Sequence, residues 1–330
     1  MQRIFVQSEF ASLHAVIVAE CEFRLPDADF MTGEQLAKEL SILPLSEQEF
    51  MRSILGTDMR DSKPDVQKRW EEERSKLVDL FRQLGVTVYR PEKLTALQKL
   101  NRGKAGYSNN FVRDPLMVIG NNVIEASFRF PHRCEEILPC RPLIEKLVMP
   151  AECGYFAVPR PDILPIDADF DKAGPFLEGG DVLVLDKNVF VGISGRASSL
   201  KGMNYLAKLL APQGYKVHRV ALKPNFLHLD CAMGLLRQGL MLVCPEAFID
   251  GIPEYFREWE KIEVSMEEAS ALGTNGIPLS PNVYITDPIF ERIGAEINKR
   301  DIDVHYIDFT ISRSLGGGFR CSTQALHRED

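Results

Sequence analysis

The stretch GDVLVLDKNVFVGIS, residues 180–194, sets the reading of the whole chain. Two apolar runs flank Asp186-Lys187, a pair suited to a tight turn between antiparallel strands. The same design recurs in DPLMVIGNNVIEAS (114–127) around Asn121-Asn122, in DCAMGLLRQGLMLVC (230–244) around Arg237-Gln238-Gly239, and in GIPLSPNVYIT (276–286) around Ser280-Pro281. In chain order, the hairpins are followed by RCEEILPCRPLIEKLV, LKGMNYLAKLLAP, PEYFREWE and PIFERIGAEINKR, all of helical period. After them come the short apolar runs YFAVPRP, YKVHRVAL, KIEVSM and DVHYIDF. A looser unit opens the chain, with LHAVIVAE, the charged amphipathic helix DVQKRWEEERSKLVDLFRQLG, and VTVYRP.

Alternating strands and helices alone suit an open α/β sheet. Such a sheet, however, does not insert a tight hairpin before every helix. The expected architecture is therefore α/β, with hairpin–helix–strand units set in a ring about a central axis. It forms one domain over residues 1–330. Residues 25–63, rich in acids and containing LPDADF and LPLSEQEF, fit no unit. They are expected to be an insertion, either a flap or lid over the ring or a contact in a homo-oligomer.

With 330 residues and 45% hydrophobic content, the chain can bury a large core. A net charge of −8 argues against a nucleic-acid footprint or a polybasic membrane contact. The opening MQRIFVQSEF lacks a signal-peptide pattern, and no apolar run reaches transmembrane length. A cytoplasmic protein is expected. The seven cysteines form no CxxC pair, so they read as reduced thiols rather than disulfides or a zinc site. No metal and no cofactor are expected.

If the units share a geometry, residues at equal offsets from each hairpin point to one place. Asp114 precedes Asn121 by seven residues, Asp230 precedes Arg237 by seven, and Glu178 precedes Asp186 by eight. His228 lies two residues before Asp230, a spacing that in a strand puts both side chains on one face. Clustered carboxylates repel unless a cation lies between them, and a planar guanidinium is the partner several can grip at once. Each residue alone has an ordinary role as a turn former or core histidine. Cys321 changes the balance. It follows SLGGGFR near the C-terminal end, where three glycines permit close approach of a ligand. A thiolate there can be stabilised by Arg320 or by a bound guanidinium.

RDPLMVIGNNVIEA, FLHLD and SLGGGFRCST resemble motifs of the amidinotransferase and guanidino-group-modifying superfamily. SEFASLHAVIV and YLAKLLAPQGYKVH extend the resemblance along the chain, towards the glycine amidinotransferases. It implies a five-bladed, pseudo-symmetric α/β propeller of ββαβ units with the site on its axis. It also implies covalent catalysis through an amidino-cysteine. Cys321 would attack the guanidinium carbon, His228 would shuttle protons and Glu178 would partner both, while Asp114 and Asp230 hold the guanidino nitrogens. The substrate would be arginine or a related guanidino compound, with an amine as acceptor. Two features resemble arginine deiminase instead: EGGD, with Glu178 where the transferases carry aspartate, and the ending RCSTQALHR. Arg196 in GISGRAS falls where deiminases place an arginine that meets the substrate carboxylate, with Arg129 and Arg133 in reserve. Ser108 stands where deiminases usually have asparagine, and their inserted helical module has no counterpart here. Amidino transfer is the expected reaction, with hydrolysis the alternative and a binding-only protein a remote third.

Overall fold

The computed structural model describes residues 2–30, 32–41, 43–161 and 173–330. Four sheets share one plan, a hairpin whose second strand takes a parallel third strand on its far side. They comprise Leu116–Ile119, Asn122–Glu125 and Gly154–Ala157; Val182–Leu185, Asn188–Ile193 and Lys216–Ala221; Met233–Arg237, Leu240–Val243 and Glu260–Glu263; and Ile277–Ser280, Val283–Thr286 and Asp303–Tyr306. Most hairpin strands are buried on both faces, which is why they read as unbroken apolar runs.

A fifth sheet is assembled from distant parts of the sequence. Thr323–Arg328 pairs antiparallel with Leu13–Val18, which pairs in parallel with Thr87–Tyr89. Phe5–Val6 lies parallel on the other edge of Thr323–Arg328. The looser N-terminal unit thus obtains its hairpin partner from the segment that follows Cys321.

Contacts run from sheet to sheet and return to the start. Val6 bridges Gly120, Ser127 bridges Leu177 and Leu222 bridges Phe248. Met233–Arg237 packs beside Ile277–Ser280. Arg328 Nη2, in the fifth sheet, donates to the Pro278 carbonyl at 2.7 Å.

Several local expectations are corrected. The 114–127 hairpin turns at Gly120-Asn121 rather than Asn121-Asn122. Gly120 takes the positive φ of 54°, and Asn122 already pairs with Ile119. RCEEILPCRPLIEKLV is not one helix but 3₁₀ turns, the short α segment Arg141–Leu143 and a π turn at Ile144–Val148. Pro139 and Pro142 remove the backbone donors a continuous helix needs. PEYFREWE yields only the 3₁₀ turn Glu254–Phe256. The helices Pro64–Gln83, Leu200–Leu210 and Glu291–Asn298 form as read.

Pro64–Gln83 starts with proline at its first position and buries Trp70, Glu73, Arg74, Leu77, Val78 and Phe81, a stripe of helical period. Glu73 on that stripe accepts from the backbone N–H groups of Ile311 and Ser312 at 2.6 and 3.0 Å. It thereby fastens the helix Thr310–Ser314, from which the SLGGGF loop departs.

The segment 25–63 contains the helices Gly33–Leu40, Leu45–Ser53 and Met59–Ser62; its residues 31 and 42 lie outside the described set. Thr32 and Gln35 cap the first of these reciprocally. Leu40, Met51, Ile54 and Met59 pack with Trp70, Ile311 and Leu315. The insertion therefore rests on the same element that positions the loop before Cys321.

Candidate active site

Asp114, Asn275 and Cys321 each stand two residues before the first strand of a hairpin, at Leu116, Ile277 and Thr323. Glu178 and His228 flank the 3₁₀ turns Gly179–Asp181 and Leu229–Cys231, which lead into the other two hairpins. Asp230 lies inside its turn, so the expected strand spacing of His228 and Asp230 is not realised. Asp181 holds the two turns together, accepting from Ser198 N and Leu229 N, each at 3.1 Å. All five hairpin entrances thus supply polar side chains to one region.

That region opens on a cavity of about 150 Å³. Asp114, Arg133, Glu136, His228 and Cys321 line its polar part, while the insertion contributes Leu36, Glu39, Leu40, Leu43, Met51 and Leu55. Glu178 and Asp230, both 0% exposed, lie behind the lining. His228 Nε2 is 3.0 Å from Glu178 Oε2, and its Nδ1 is 3.8 Å from Asp114 Oδ1. Cys321 Sγ lies 3.8 Å from Asp230 Oδ2, and its backbone N–H donates to Asn275 Oδ1 at 3.2 Å.

The carboxylates already grip a guanidinium, that of Arg133. Its Nη1 donates to Glu178 at 2.8 Å and its Nη2 to Asp114 at 2.7 Å. Nε and Nη2 also reach Glu136 at 2.8 and 2.9 Å, and the group stands 4.7 Å over the Phe128 ring. Glu178 Oε1 is buried with no partner, an acceptor left open beside this cluster. Ligand atoms of Asp114, Glu178 and His228 lie within 4.8 Å of one another, close enough for a cation. Arg133 occupies an oxygen of both carboxylates, so the set is matched to a planar organic cation.

The glycines make room. A Cβ on Gly180 would stand 2.5 Å from His228 Nδ1 and 2.7 Å from Asp114 Oδ1. Gly316 has φ of 90°, and a Cβ on Gly317 would overlap the Phe111 ring. The three glycines before Cys321 are thus a packed turn that presents the thiol.

The charges set the protonation states. Burial disfavours the His228 cation, but Asp114, the Glu178 hydrogen bond and Asp181 outweigh it and raise its pKa to about 10. Burial, then Asp230 and Asp114, push the Cys321 thiol well above its ordinary value. Burial lifts Glu136 and Asp181 to about 7 each. Burial also acts on Asp114, yet His228 and Arg133 hold it below its ordinary value.

The remaining predicted residues lie further out. Arg320 does not line the cavity; it donates to Asp230 at 2.8 Å, to Glu9 at 3.0 and 3.1 Å, and to the Val182 carbonyl at 2.7 Å. Arg196 also lies outside the lining, with Nε on the Pro224 carbonyl at 2.8 Å and Nη2 on Ser41 of the insertion at 3.1 Å. Arg129 stands 5.5 Å over the Phe130 ring. Sequence reasoning missed Glu136, Asn275 and Glu9. Glu136 carries a signal, its i,i+3 spacing from Arg133. Asn275 carries another, its place before a hairpin. Glu9 carries none.

A thiol and an imidazole set among carboxylates that hold a guanidinium define a class, the guanidino-group-modifying enzymes. Residues 46–328 match the model of the family described as N,N dimethylarginine dimethylhydrolase, eukaryotic, and the chain belongs to that family. An uncharacterized protein of Bacillus subtilis, YkgA, is 32% identical over 46% of this chain and 52% of its own. A putative inosamine-phosphate amidinotransferase of Streptomyces griseus is 26% identical over 79% of this chain and 80% of its own. Mitochondrial glycine amidinotransferase of Xenopus tropicalis is 25% identical over 79% and 70%. Among solved structures, the fold is shared with the amidinotransferase SxtG of Microseira wollei, at TM-score 0.79 and 18% identity over 99% of this chain and 98% of that one. It is shared too with the arginine dihydrolase ArgZ N-terminal domain of cyanobacteria, at TM-score 0.65 and 18% identity over 96% and 98%. Among the described residues no helix is long and apolar enough to cross a membrane.

Proposed function

We propose that this protein transfers an amidino group from a guanidino donor to an amine, through a covalent adduct on Cys321. The observation that carries the reading is the Arg133 guanidinium held by Asp114 and Glu178 beside His228, in the cavity that Cys321 lines. An incoming guanidinium competes with Arg133 for the oxygens of Asp114 and Glu178. On this reading the five sheets are blades of a propeller around the site. The insertion is its lid.

The chemistry follows from the charges. In the ligand-free site burial, then the carboxylates of Asp230 and Asp114, disfavour a Cys321 thiolate. A substrate cation placed among them offsets that field, so the thiol releases its proton to solvent and the thiolate nucleophile forms when its substrate arrives. Thiolate Sγ attacks the guanidinium carbon and a C–S bond forms. His228, a cation at neutral pH, gives its proton to the departing nitrogen, the C–N bond breaks, and an amidino-cysteine cation remains. The neutral imidazole then takes a proton from the incoming amine as it attacks that carbon. The C–S bond breaks, restoring the thiolate. A cavity with an apolar wall disfavours water while the adduct waits.

Hydrolysis is the second reading, favoured by the family match and by Glu178 in the EGGD motif. The amidinotransferase relatives, aligned over nearly four-fifths of the chain, support transfer. The test is incubation with a panel of guanidino donors, with and without amines such as glycine, with products identified by mass. A new guanidino compound formed only when amine is present, together with an amidino mass increment on Cys321, is expected. From arginine, citrulline or an amine-independent release of ornithine would overturn transfer. Unchanged turnover in Cys321→Ala would overturn the covalent mechanism.

A further inference from the structure

A second cavity, of about 10 Å³, lies between the strands Phe5–Val6, Leu116–Ile119 and Val182–Leu185, and shares no described lining residue with the one at Cys321. Arg113 and Arg328 line it, 7% and 3% exposed. Arg328 donates its Nη groups to the carbonyls of Ala11 and Pro278, each at 2.7 Å. The Arg113 guanidinium makes one hydrogen bond, from Nε to the Arg320 carbonyl at 3.4 Å, so both its Nη groups lack an acceptor among the described residues. The acids that attract Arg113, Glu9 and Asp230, ion-pair instead with Arg320, at 3.0 and 2.8 Å. Burial, then Arg320, outweigh that attraction and lower the Arg113 pKa to about 9. Glu9 also lines the cavity, but both its oxygens are taken, by Arg320 and by the Val184 N–H. Ser8, on the same lining, accepts from Ala11 N at 2.9 Å, which leaves its hydroxyl proton without an acceptor among the described residues. A buried cation is costly unless something of opposite charge meets it.

We propose that this cavity binds a monatomic anion, chloride, against the Arg113 guanidinium, with the Ser8 hydroxyl as a further donor and Arg328 as a second cation. A space this small admits about one water-sized occupant, which excludes phosphate, sulfate and carboxylates. The ion supplies the negative charge that Glu9 and Asp230, engaged with Arg320, do not. Arg113 N also donates to the Cys321 carbonyl at 3.1 Å, so an anion that fixes Arg113 steadies the backbone of the Cys321 turn. The site does not depend on which reaction Cys321 performs.

The test is diffraction from crystals of the wild-type chain grown with bromide in place of chloride. An anomalous peak is expected in contact with the Arg113 Nη groups and the Ser8 hydroxyl. Density there without anomalous signal, that of a water, would overturn the proposal, and so would bromide confined to other places. Thermal denaturation in sodium chloride and in sodium gluconate, at equal ionic strength, is a second measurement, since gluconate is too large to enter. Chloride should raise the melting temperature by about 2–4 °C when present at roughly ten to a hundred times its dissociation constant. Arg113→Met should abolish that difference. Equal melting temperatures of the wild type in the two salts, or a chloride effect that Arg113→Met retains, would overturn the site. The diffraction measurement needs no variant, so it decides even where Arg113→Met does not fold.

Discussion

Replacing Arg133 by methionine removes a guanidinium that donates to three buried carboxylates at 2.7–2.9 Å, while keeping a flexible apolar chain of similar length. Asp114, Glu178 and Glu136 then share their pocket without their cation. Breaking a buried ion pair from one side costs about 3–5 kcal/mol. At roughly 2.1 cal/mol/K of unfolding entropy per residue, a chain of this size should melt about 4–7 °C lower. The loss should depend on pH. Burial already lifts Glu136 to about 7 with Arg133 present, and without it the carboxyl binds its proton more tightly still. A raised folded-state pKa gives stability that is present below the ordinary value and lost as pH rises through the folded value. The deficit should therefore be largest near pH 8 and shrink towards pH 5. Differential scanning calorimetry at both pH values reads it. Methylguanidine should raise the variant's melting temperature more than the wild type's, since the variant lacks its internal competitor. A melting temperature unchanged at pH 8, or equal rescue of both proteins, would refute the view that these carboxylates form a guanidinium cradle.

Two further outcomes follow from the same charges and contacts. In denaturant titrations, wild-type stability should fall as pH rises from about 5 through 7, where Glu136 and Asp181 lose their protons, and again towards about 10, where His228 does. Glu136→Gln should flatten the first of these limbs, and a limb of equal slope would count against the assignment. Gly317→Ala drives a methyl into the Phe111 ring and should cost about 1–3 kcal/mol and displace the Cys321 turn. Loss of adduct formation with the fold retained by circular dichroism is expected; full activity would argue that the turn is not packed.

Much of this architecture was legible because hairpins are local. Asp186-Lys187 and its flanking runs announce a turn within a few residues, and Asp114, Glu178 and Asp230 then fall at hairpin entrances, although at unequal offsets. The pairing of Leu13–Val18 with Thr323–Arg328 was not legible, since nothing in either run names a partner so far along the chain. Helical period misled at RCEEILPCRPLIEKLV, where two prolines outweigh the apolar spacing. At the site, charge pointed to the carboxylates. An uncharged ligand of the backbone such as Asn275 sends no such signal, although it stands at the same offset as Asp114 and Cys321. The reach of Arg133 into the cluster depends on a long side chain's direction, which sequence spacing does not report.

The strand Thr323–Arg328 begins two residues after Cys321 and lies between Phe5–Val6 and Leu13–Val18. Its two neighbours in the sheet leave the ribosome more than 300 residues earlier, and Cys321 is among the last of the site residues to be made. A chain ending before Cys321 would hold Asp114, Glu178, His228 and Asp230 but lack the thiol that meets Asp230 and the N–H that donates to Asn275.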